Sequence, residues 1–415
     1  MSTSPVIDRA ALPVIVMGAH IAALGTLRVL ARRGIEVHVL DATEDIITRS
    51  RWYRPTQPTL AETADPEVLA AVLRRLDLPG AVLIPCSDTW ALAVAGLPED
   101  LRARFPSSLA PADAIGAFVD KERFAALTER LDLARPRTIR IDGPADVERL
   151  AAELESGVTW FLKPTQSQRH NRRFGTKGAF IASPAEAAEH VRVASEAGIT
   201  FLMQEWIPGD PAATILLDGF VDRHGRVAAL VARRRVRMYP QRLANTCCGV
   251  TIPLAEVADA VDTVRTLVAA VHHRGIFNVE FKLDARDGRH KIIEVNPRPF
   301  WMIGQIADAG VDLPHLAYLD AQGLPVPAVD AYRLGRYSAY ELVDAKAIAH
   351  AWRHGRRASG SVLRSWVTGD RALFWWSDPR PAVRGLQLAL GRAGRGRATR
   401  TSERASTIVA DRVEA

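Results

Sequence analysis

The chain of 415 residues is poor in cysteine and lysine and has no long apolar run, and each scarcity excludes a class of protein. Two of its three cysteines, Cys247 and Cys248, are adjacent, and with Cys86 they fit neither a disulfide framework nor a spaced zinc site. No stretch reaches the roughly 18 uninterrupted apolar residues of a membrane span, because the best candidate, residues 14–31, contains a histidine and an arginine. The first residues also lack a secretory-signal pattern, so we expect a cytoplasmic protein without a membrane span.

Lysine is so rare that its positions are informative. Of 54 basic side chains only six are lysines, and three of these, Lys121, Lys163 and Lys177, lie within one 57-residue stretch. Lysine supplies a compact, flexible point charge where arginine supplies a planar fork, and phosphate binding is one use of such a charge. The cluster suggests a phosphate site, with chance spacing as the alternative.

The net charge of +7 is concentrated near the end of the chain. Residues 384–415 carry seven arginines against three carboxylates, and the Gly-, Arg- and Ser-rich context predicts a solvated, flexible tail over 401–415. An anionic partner for this region, such as nucleic acid or a membrane surface, is the alternative. The composition of the whole chain, 48% hydrophobic and 24% charged, is that of a globular protein, and the length predicts two or three domains of roughly 150 residues each.

Residues 1–115 are predicted to form a Rossmann-like domain around a parallel sheet. An apolar run (Val14–Met17), a turn at Gly18, a helical pattern and a second run (Val37–Leu40) make up a βαβ unit, and a further buried strand is predicted over 81–85. Ligands of such sheets bind beyond the carboxyl ends of the strands, where Asp41 lies. The same ends carry His20, Ser87 and Asp88. For each of these a turn or helix-capping role is favoured, with substrate contact as the alternative.

Residues 116–320 mix hairpins with helices, which is typical of an α+β region. One predicted strand ends near Lys163, and the segment 165–178 that follows has no apolar periodicity, which predicts a mobile loop. The loop carries Arg169, His170, Arg172, Arg173 and Lys177. A ligand that it covers should therefore be anionic. Residues 321–400 are expected to form a helical, tryptophan-rich extension that packs against this body.

The clearest chemical signal lies on a predicted hairpin formed by two strands over 276–283 and 290–295. Strand alternation places Glu280 on one face of the first strand and Glu294 with Asn296 on one face of the second, so two carboxylates and a carboxamide converge. Oxygen ligands without sulfur suit Mg²⁺, which proteins hold through one or two carboxylates together with substrate phosphates. An acidic strand pair balanced by basic neighbours is the alternative.

Taken in chain order, these pieces resemble the ATP-grasp superfamily, and within it the ATP-dependent carboxylate–amine ligases. The resemblance covers residues 14–305 and rests on Gly18 and Asp41; Asp120 and Lys121; Lys163 and Pro164; Gly175, Thr176 and Lys177; the run from Gln204 to Asp210; Glu280; and Glu294, Asn296, Pro297 and Arg298. It implies a Rossmann-like domain over 1–115 followed by a two-lobed ATP-grasp domain over 116–320. The loop is richer in arginine and histidine than in many members, so its contacts are not assigned one by one.

The resemblance also implies where the nucleotide binds. Lys121 and Lys163 would bind the ATP phosphates while the 165–178 loop closes over them. The residues expected at the adenine and the ribose are Gln204, Glu205, Trp206, Ile207 and Asp210.

Metal binding and catalysis are implied in the same way. One or two Mg²⁺ ions, replaceable by Mn²⁺, would be held by Glu280, Glu294 and Asn296. Arg298 would stabilise charge on the transferring phosphoryl group, and Lys177 is a further catalytic candidate. Alternation places Arg233, Arg235 and Arg237 on one face of a strand, where Arg235 is the favoured contact to a phosphate or substrate carboxylate. A solvated basic strand is the alternative.

The implied activity joins two small molecules, a carboxylate and an amine. The γ-phosphoryl group of ATP would pass to the carboxylate, and the amine would attack the acyl phosphate to give an amide, ADP and phosphate. No nucleic-acid partner is expected, and a homodimer is left open. One alternative is a nicotinamide-dependent oxidoreductase, although the turn at Gly18 lacks the G-x-G-x-x-G pattern. A non-catalytic nucleotide-binding module is another, but it would be expected to lack a metal ligand.

Overall fold

The structure, a computed structural model, describes most of the chain, and three sheets organise it. The described residues are 12–41, 43, 46–151, 158–165, 170, 173–176, 178–181, 183–240, 246–357 and 360–395. Lys177, Arg169 and Arg172 of the predicted loop and the tail over 401–415 lie outside these ranges. In the described ranges, no helix combines the length and apolarity needed to cross a bilayer.

The amino-terminal sheet is parallel and has the strand order β2-β1-β3. Its strands are β1 (Val14–Met17), β2 (Val37–Leu40) and β3 (Val82–Pro85). Every residue of β1 and β3 is buried, as expected where helices cover both faces of a parallel sheet. The helices of this region are α1 (Ile21–Arg32), α2 (Pro66–Leu73), α3 (Asp88–Ala95), α4 (Glu99–Arg104), α5 (Ala112–Val119) and α6 (Lys121–Arg130). The parallel, Rossmann-like sheet predicted from the sequence is confirmed.

A smaller antiparallel sheet with the order β4-β7-β5-β6 forms the next lobe. Its strands are β4 (Thr138–Ile141), β5 (Trp160–Pro164), β6 (Ala179–Ile181) and β7 (Phe201–Glu205). Helices α7 (Pro144–Arg149) and α8 (Pro184–Ser195) flank it. The core of the lobe is apolar and includes Trp160 and Phe201, both of which are fully buried. Burial of such large rings stabilises the lobe as a separate unit.

The largest sheet has seven strands in the order β12-β11-β8-β9-β10-β13-β14. They are β8 (Thr214–Val221), β9 (Val227–Met238), β10 (Thr246–Ile252), β11 (Gly275–Asp284), β12 (Arg289–Asn296), β13 (Tyr337–Ala339) and β14 (Asp370–Arg371). Neighbouring strands are antiparallel except for the last pair. Helix α9 (Ala258–Ala270) packs its apolar side on this sheet and closes the main core. The two sheets make up the two lobes that the sequence predicts.

The carboxyl-terminal region is mainly helical and also contains two short strands. Its helices are α10 (Ile303–Asp308), α11 (Leu313–Ala321), α12 (Glu341–Arg353), α13 (Val362–Val367) and α14 (Arg380–Arg395). Strands β13 and β14 extend the large sheet, because β13 pairs with β10 through Cys248 and Ala339. The region also packs on the amino-terminal domain, where Leu373 joins the core that covers one side of the parallel sheet. It therefore bridges the two ends of the molecule.

Candidate active site

A cavity of about 1130 Å³ lies between the amino-terminal sheet and the large sheet. The carboxyl ends of β1 and β3 contribute His20, Ser87 and Asp88, and α6 contributes Lys121. The large sheet contributes a polar wall that includes Asn278, Glu280, Glu294, Asn296 and Arg298. The cavity is thus at the strand ends where parallel sheets bind ligands, and it is large enough for more than one small molecule.

The two predicted carboxylates face each other across the β11–β12 hairpin. Glu280 pairs with Glu294 and Asn278 pairs with Asn296, so the four side chains share one face. Ile293 is the extra residue of a β-bulge that follows this pair, since Phe281 pairs with Ile292. Burial raises the pKa of Glu280, and the nearby Glu294 adds to this, although the Arg235 guanidinium opposes it. A cation brought to this face would relieve that penalty.

The donor set on this face fits Mg²⁺. Glu280, Glu294 and Asn296 present oxygen atoms, and all three line the cavity. No group of three or more histidine, cysteine or acidic side chains in the described part of the chain could hold a metal by itself. Mg²⁺ does not need one, because it is held through one or two carboxylates together with substrate phosphates.

Lys121 lines this cavity, and Lys163 of β5 lies close enough to act on its charge. Lys121 begins α6, whose amino end is capped by Asp120, and its Nζ donates to the Pro164 carbonyl at the end of β5. Burial lowers the pKa of Lys121 to about 8, with a further lowering by the charge of Lys163, whereas Glu294 raises it. The structure therefore brings Lys121, Lys163 and Glu294 within electrostatic reach of one another.

A second, much smaller cavity of about 20 Å³ lies between α6, the small sheet and β12. Its wall is partly apolar and includes Thr138, Leu202, Gln204, Ile292 and Ile293, and both lysines reach it. Lys121 lines this cavity and the larger one. The two cavities therefore meet at a lysine side chain, which is where a ligand occupying both would place its charge.

The residues predicted for the adenine are only partly at this smaller cavity. Gln204 lines it and donates from Nε2 to Thr138 Oγ1 at 3.1 Å. The Glu205 amide donates to Arg137 O and the Trp206 amide to Thr159 O, each at 2.8 Å. Both amides are therefore used in hydrogen bonds to neighbouring segments of the same chain. The Ile207 N–H donates to no described residue.

The side chains of this stretch make further contacts. Glu205 is bound to Arg286, with 2.6 Å between Oε1 and Nη1. The Trp206 ring packs edge-on to Phe180, and the Nζ of Lys282 lies 4.9 Å from its centroid. Asp210 is exposed, and its Oδ1 accepts from the Ala212 N–H at 2.7 Å, which fixes the turn that precedes β8.

Arg298 is held by a hydrogen-bonded chain that crosses from one domain to the other. Its Nε lies 2.8 Å from Asp88 Oδ1, and its Nη2 donates to Asn296 Oδ1 at 3.0 Å. Asn296 Nδ2 donates to Asn278 Oδ1 at 3.1 Å, and Asn278 Nδ2 donates to Asp218 Oδ1 at 2.6 Å. Asp88 therefore orients the arginine predicted for the transferring group. Sequence reasoning missed Asn278 and Asp218, although both belong to the alternating pattern of their strands.

The three arginines of β9 share one buried side, but each has its own partner. Arg233 is paired with Asp218 at 2.5 Å and Arg237 with Asp344 at 2.7 Å, and all four side chains are buried. Arg235 lies behind the carboxylate wall, with its Nη2 2.9 Å from Glu280 Oε1. Arg235 is not part of the described cavity wall and its partner is Glu280, so the phosphate or carboxylate contact expected of it stays a prediction.

His20 and Ser87 cap helices, as the sequence favours, whereas Asp88 pairs with Arg298 instead of capping a helix. His20 Nδ1 accepts from the Ala22 N–H at 3.3 Å, and Ser87 Oγ accepts from the Trp90 N–H at 3.1 Å. Ser87 Oγ also donates to Glu62, a cavity residue that sequence reasoning missed. Although His20 and Ser87 cap helices, both also form part of the cavity wall.

The predicted basic loop turns one of its side chains inward. His170 is buried, its Nδ1 lies 2.9 Å from the Thr176 carbonyl, and its Nε2 lies 3.2 Å from His190 Nε2. Burial lowers the pKa of both histidines. His170 therefore packs in the small lobe instead of facing an anion, because its ring fits among Phe174 and Phe201.

Comparison with known proteins defines the class of this fold. Residues 200–339 match a family model described as ATP-grasp in the biosynthetic pathway with Ter operon. N5-carboxyaminoimidazole synthase from Aspergillus clavatus, solved with ADP and 5-aminoimidazole ribonucleotide, superposes with a TM-score of 0.59 at 14% identity, covering 79% of this chain and 81% of that one. Residues 200–339 therefore match an ATP-grasp family model, and the superposition shows that most of the chain has the fold of that synthase.

Two further proteins are similar to this one. D-aspartate ligase of Enterococcus faecium (strain Aus0004) is 25% identical over 225 residues, which cover 52% of this chain and 53% of the relative. The chain thus spans about half the length of this curated relative. L-amino acid ligase from Bacillus licheniformis has the same fold, with a TM-score of 0.56 and 15% identity over 79% of this chain and 78% of that one.

Proposed function

We propose that this protein is an ATP- and Mg²⁺-dependent ligase that activates a carboxylate as an acyl phosphate and joins it to an amine. The observation that carries the proposal is the position of Lys121, which lines both the small, partly apolar cavity and the large cavity with its carboxylate wall. A nucleotide with its base at the smaller cavity, which must widen from its about 20 Å³ to admit the base, would pass its phosphates by Lys121 and Lys163 and end at Glu280 and Glu294. The expected positions of the adenine base, the ATP phosphates and the metal ion would then follow one another from the small cavity to the carboxylate wall.

The residues of the wall have distinct tasks in this reaction. Mg²⁺ supplied there would neutralise phosphate charge and orient the phosphoryl group for in-line transfer. Glu280, Glu294 and Asn296 would hold it, and Arg298 would bind the transferring group with its orientation set by Asp88. The two lysines would bind the phosphates as flexible point charges, so they can stay in contact with the phosphate oxygens while the phosphoryl group is transferred. Lys177 and the 165–178 loop would exclude water from the acyl phosphate.

The large cavity extends beyond the carboxylate wall to the amino-terminal sheet, and this part would hold the carboxylate and amine substrates. Its wall there combines Glu62, Ser87 and Asp88 with the ring of Trp301. The names of the relatives, a D-aspartate ligase and an L-amino acid ligase, favour an amino acid as one of the two substrates. Consumption of ATP also fits the cytoplasmic location expected from the sequence.

Calorimetric titration with Mg-ATP and, separately, with NAD tests the proposal on the wild type and on Glu294→Gln. We expect ATP to bind and NAD not to bind, and a panel of amino acids with a second amine to identify the pair that releases ADP. With that pair, Glu294→Gln should lower the rate by about 100-fold or more, because a carboxylate that would hold Mg²⁺ is lost.

Asp287→Asn is the matched control, since Asp287 is an exposed carboxylate on the same hairpin and is paired with Lys291 outside the cavity. Its rate should remain near that of the wild type. Binding of NAD without ATP would instead favour the oxidoreductase reading. Tight ATP binding without ADP release for any pair would favour a non-catalytic nucleotide-binding module.

A further inference from the structure

Helix α14 exposes an apolar face to solvent. Val383, Leu386 and Leu390 are spaced three and four residues apart, so they lie on one side of the helix, and they are 56%, 50% and 64% exposed. Trp376, four residues before the helix, is 90% exposed. We refer to Val383, Leu386 and Leu390 as the α14 face. Leaving such side chains in water is unfavourable, so a face of this kind marks an interaction site.

The opposite side of α14 packs against other parts of the carboxyl-terminal region and against Ile46 of the amino-terminal domain. Gly385 is buried there, and a Cβ on it would lie 2.9 Å from Leu373 and 3.0 Å from Leu342. Just before the helix, Asp378 is buried and accepts from Arg28 Nε at 2.9 Å and from Ser50 Oγ at 2.7 Å. The α14 face is therefore held outward by a packed, hydrogen-bonded anchor.

The charge of the helix has one sign. Its sixteen residues contain Arg380, Arg384, Arg392 and Arg395 and no acidic residue. The sequence continues with Arg397, Arg400 and Arg404 against Glu403 alone up to residue 404. A helix with a strong apolar face, a basic polar face and aromatic or leucine side chains at the boundary is the type that lies in a membrane interface.

We infer that α14 binds the surface of an anionic lipid bilayer, with the α14 face and Trp376 in the headgroup region and the arginines on lipid phosphates. A two-fold contact with a second copy would set arginines against arginines, with no carboxylate on the helix to pair with them. A nucleic acid would accept the arginines but would leave the leucines in water. The inference does not depend on the proposed ligase activity, because the α14 residues lie outside the cavity.

Flotation of the full chain with lipid vesicles tests this inference. We expect binding to vesicles that contain phosphatidylglycerol, weak binding to pure phosphatidylcholine, and a decrease with added salt. The double substitution Leu386→Ser and Leu390→Ser should weaken binding by about tenfold or more, because two apolar side chains no longer leave water. Arg380→Gln with Arg384→Gln should weaken binding only to the phosphatidylglycerol vesicles.

Leu363→Ser on α13 is the matched control, since that leucine is 75% exposed on another helix. It should bind vesicles as the wild type does, and an equal loss would contradict the assignment to α14. Unchanged binding by the leucine double variant would overturn the inference, as would a dimer in sedimentation that the variant abolishes or binding to duplex DNA in place of vesicles. Thermal unfolding of each variant at the wild-type temperature ensures that the comparison concerns folded protein.

Discussion

Arg235 and Arg237 are two residues apart on β9 and face the same side of the sheet, yet they serve different parts of the molecule. Arg237 forms two hydrogen bonds to Asp344, and these side chains are 3% and 0% exposed. Asp344 also accepts from Trp366 Nε1 at 2.8 Å. Arg235 pairs with Glu280, whose side chain is 22% exposed and forms part of the cavity wall.

The difference in exposure between Asp344 and Glu280 distinguishes an ion pair of the core from an ion pair in the wall of the candidate active site. Asp344 is closed off from solvent and saturated by partners, so the pair with Arg237 ties α12 and α13 to the large sheet. Glu280 keeps an oxygen toward the cavity and lies beside a second carboxylate, so its pair is incomplete without a ligand. Removal of Arg237 should therefore affect folding, and removal of Arg235 should affect turnover.

The largest effect is expected for Arg237→Met. It leaves Asp344 as an uncompensated buried charge, which should lower the free energy of unfolding by about 3–5 kcal/mol. Urea denaturation followed by circular dichroism measures this. Arg234→Met is the control, because Arg234 faces the other side of β9 and forms a surface pair with Glu256 that should contribute less than about 1 kcal/mol. An equal loss of unfolding free energy in Arg237→Met and Arg234→Met would show that the buried pair is no more important for stability than the surface pair.

A smaller loss of stability but a larger loss of turnover is expected for Arg235→Met. Without the guanidinium, Glu280 takes up a proton more readily, since burial already raises its pKa. The rate of ADP release should fall by about tenfold to 100-fold, and the Mg²⁺ concentration for half-maximal rate should rise. Arg235→Lys should restore part of the Mg²⁺ affinity. A variant with unchanged Mg²⁺ dependence would show that Arg235 does not position Glu280.

The smallest expected effect is a pH dependence at the junction of the two cavities. Lys121 has a pKa of about 8, so it is charged below that pH and loses its charge as the pH rises through it. Because the charge attracts phosphates, kcat/KM for ATP should be level below about pH 8 and decline above it. In Lys121→Arg the charge persists, so the decline should move to higher pH. A decline at the same pH in both forms would assign it to another group.

The sequence predicts the bounds of several strands because these strands follow from the local periodicity of apolar residues. Strands β1 and β2 have the predicted bounds, and the predicted hairpin differs from β11 and β12 by one residue at each end. Strand β10 was missed, since its run of small residues and cysteines has little strand character until it pairs with β9. Strands β13 and β14 are too short to give a signal of their own.

The sequence does not predict which residues the charged side chains pair with. Asp344 is 107 residues from Arg237, and Asp88 is 210 residues from Arg298. Alternation correctly puts the β9 arginines on one side of the strand, but it does not show which carboxylate each one meets. The buried position of His170 has the same cause, because the segment around it has no periodicity from which an inward side could be inferred.

The sequence by itself determined the class of fold, the parallel amino-terminal sheet and the carboxylate pair of the hairpin, since each follows from the alternation of neighbouring residues. Tertiary structure alone decided that Lys121 joins two cavities, that Arg235 stands behind Glu280, and that α14 is anchored with its leucines outward. These features arise where distant segments pack together. Their energies depend on burial and on partners far apart in the chain, and local pattern contains neither.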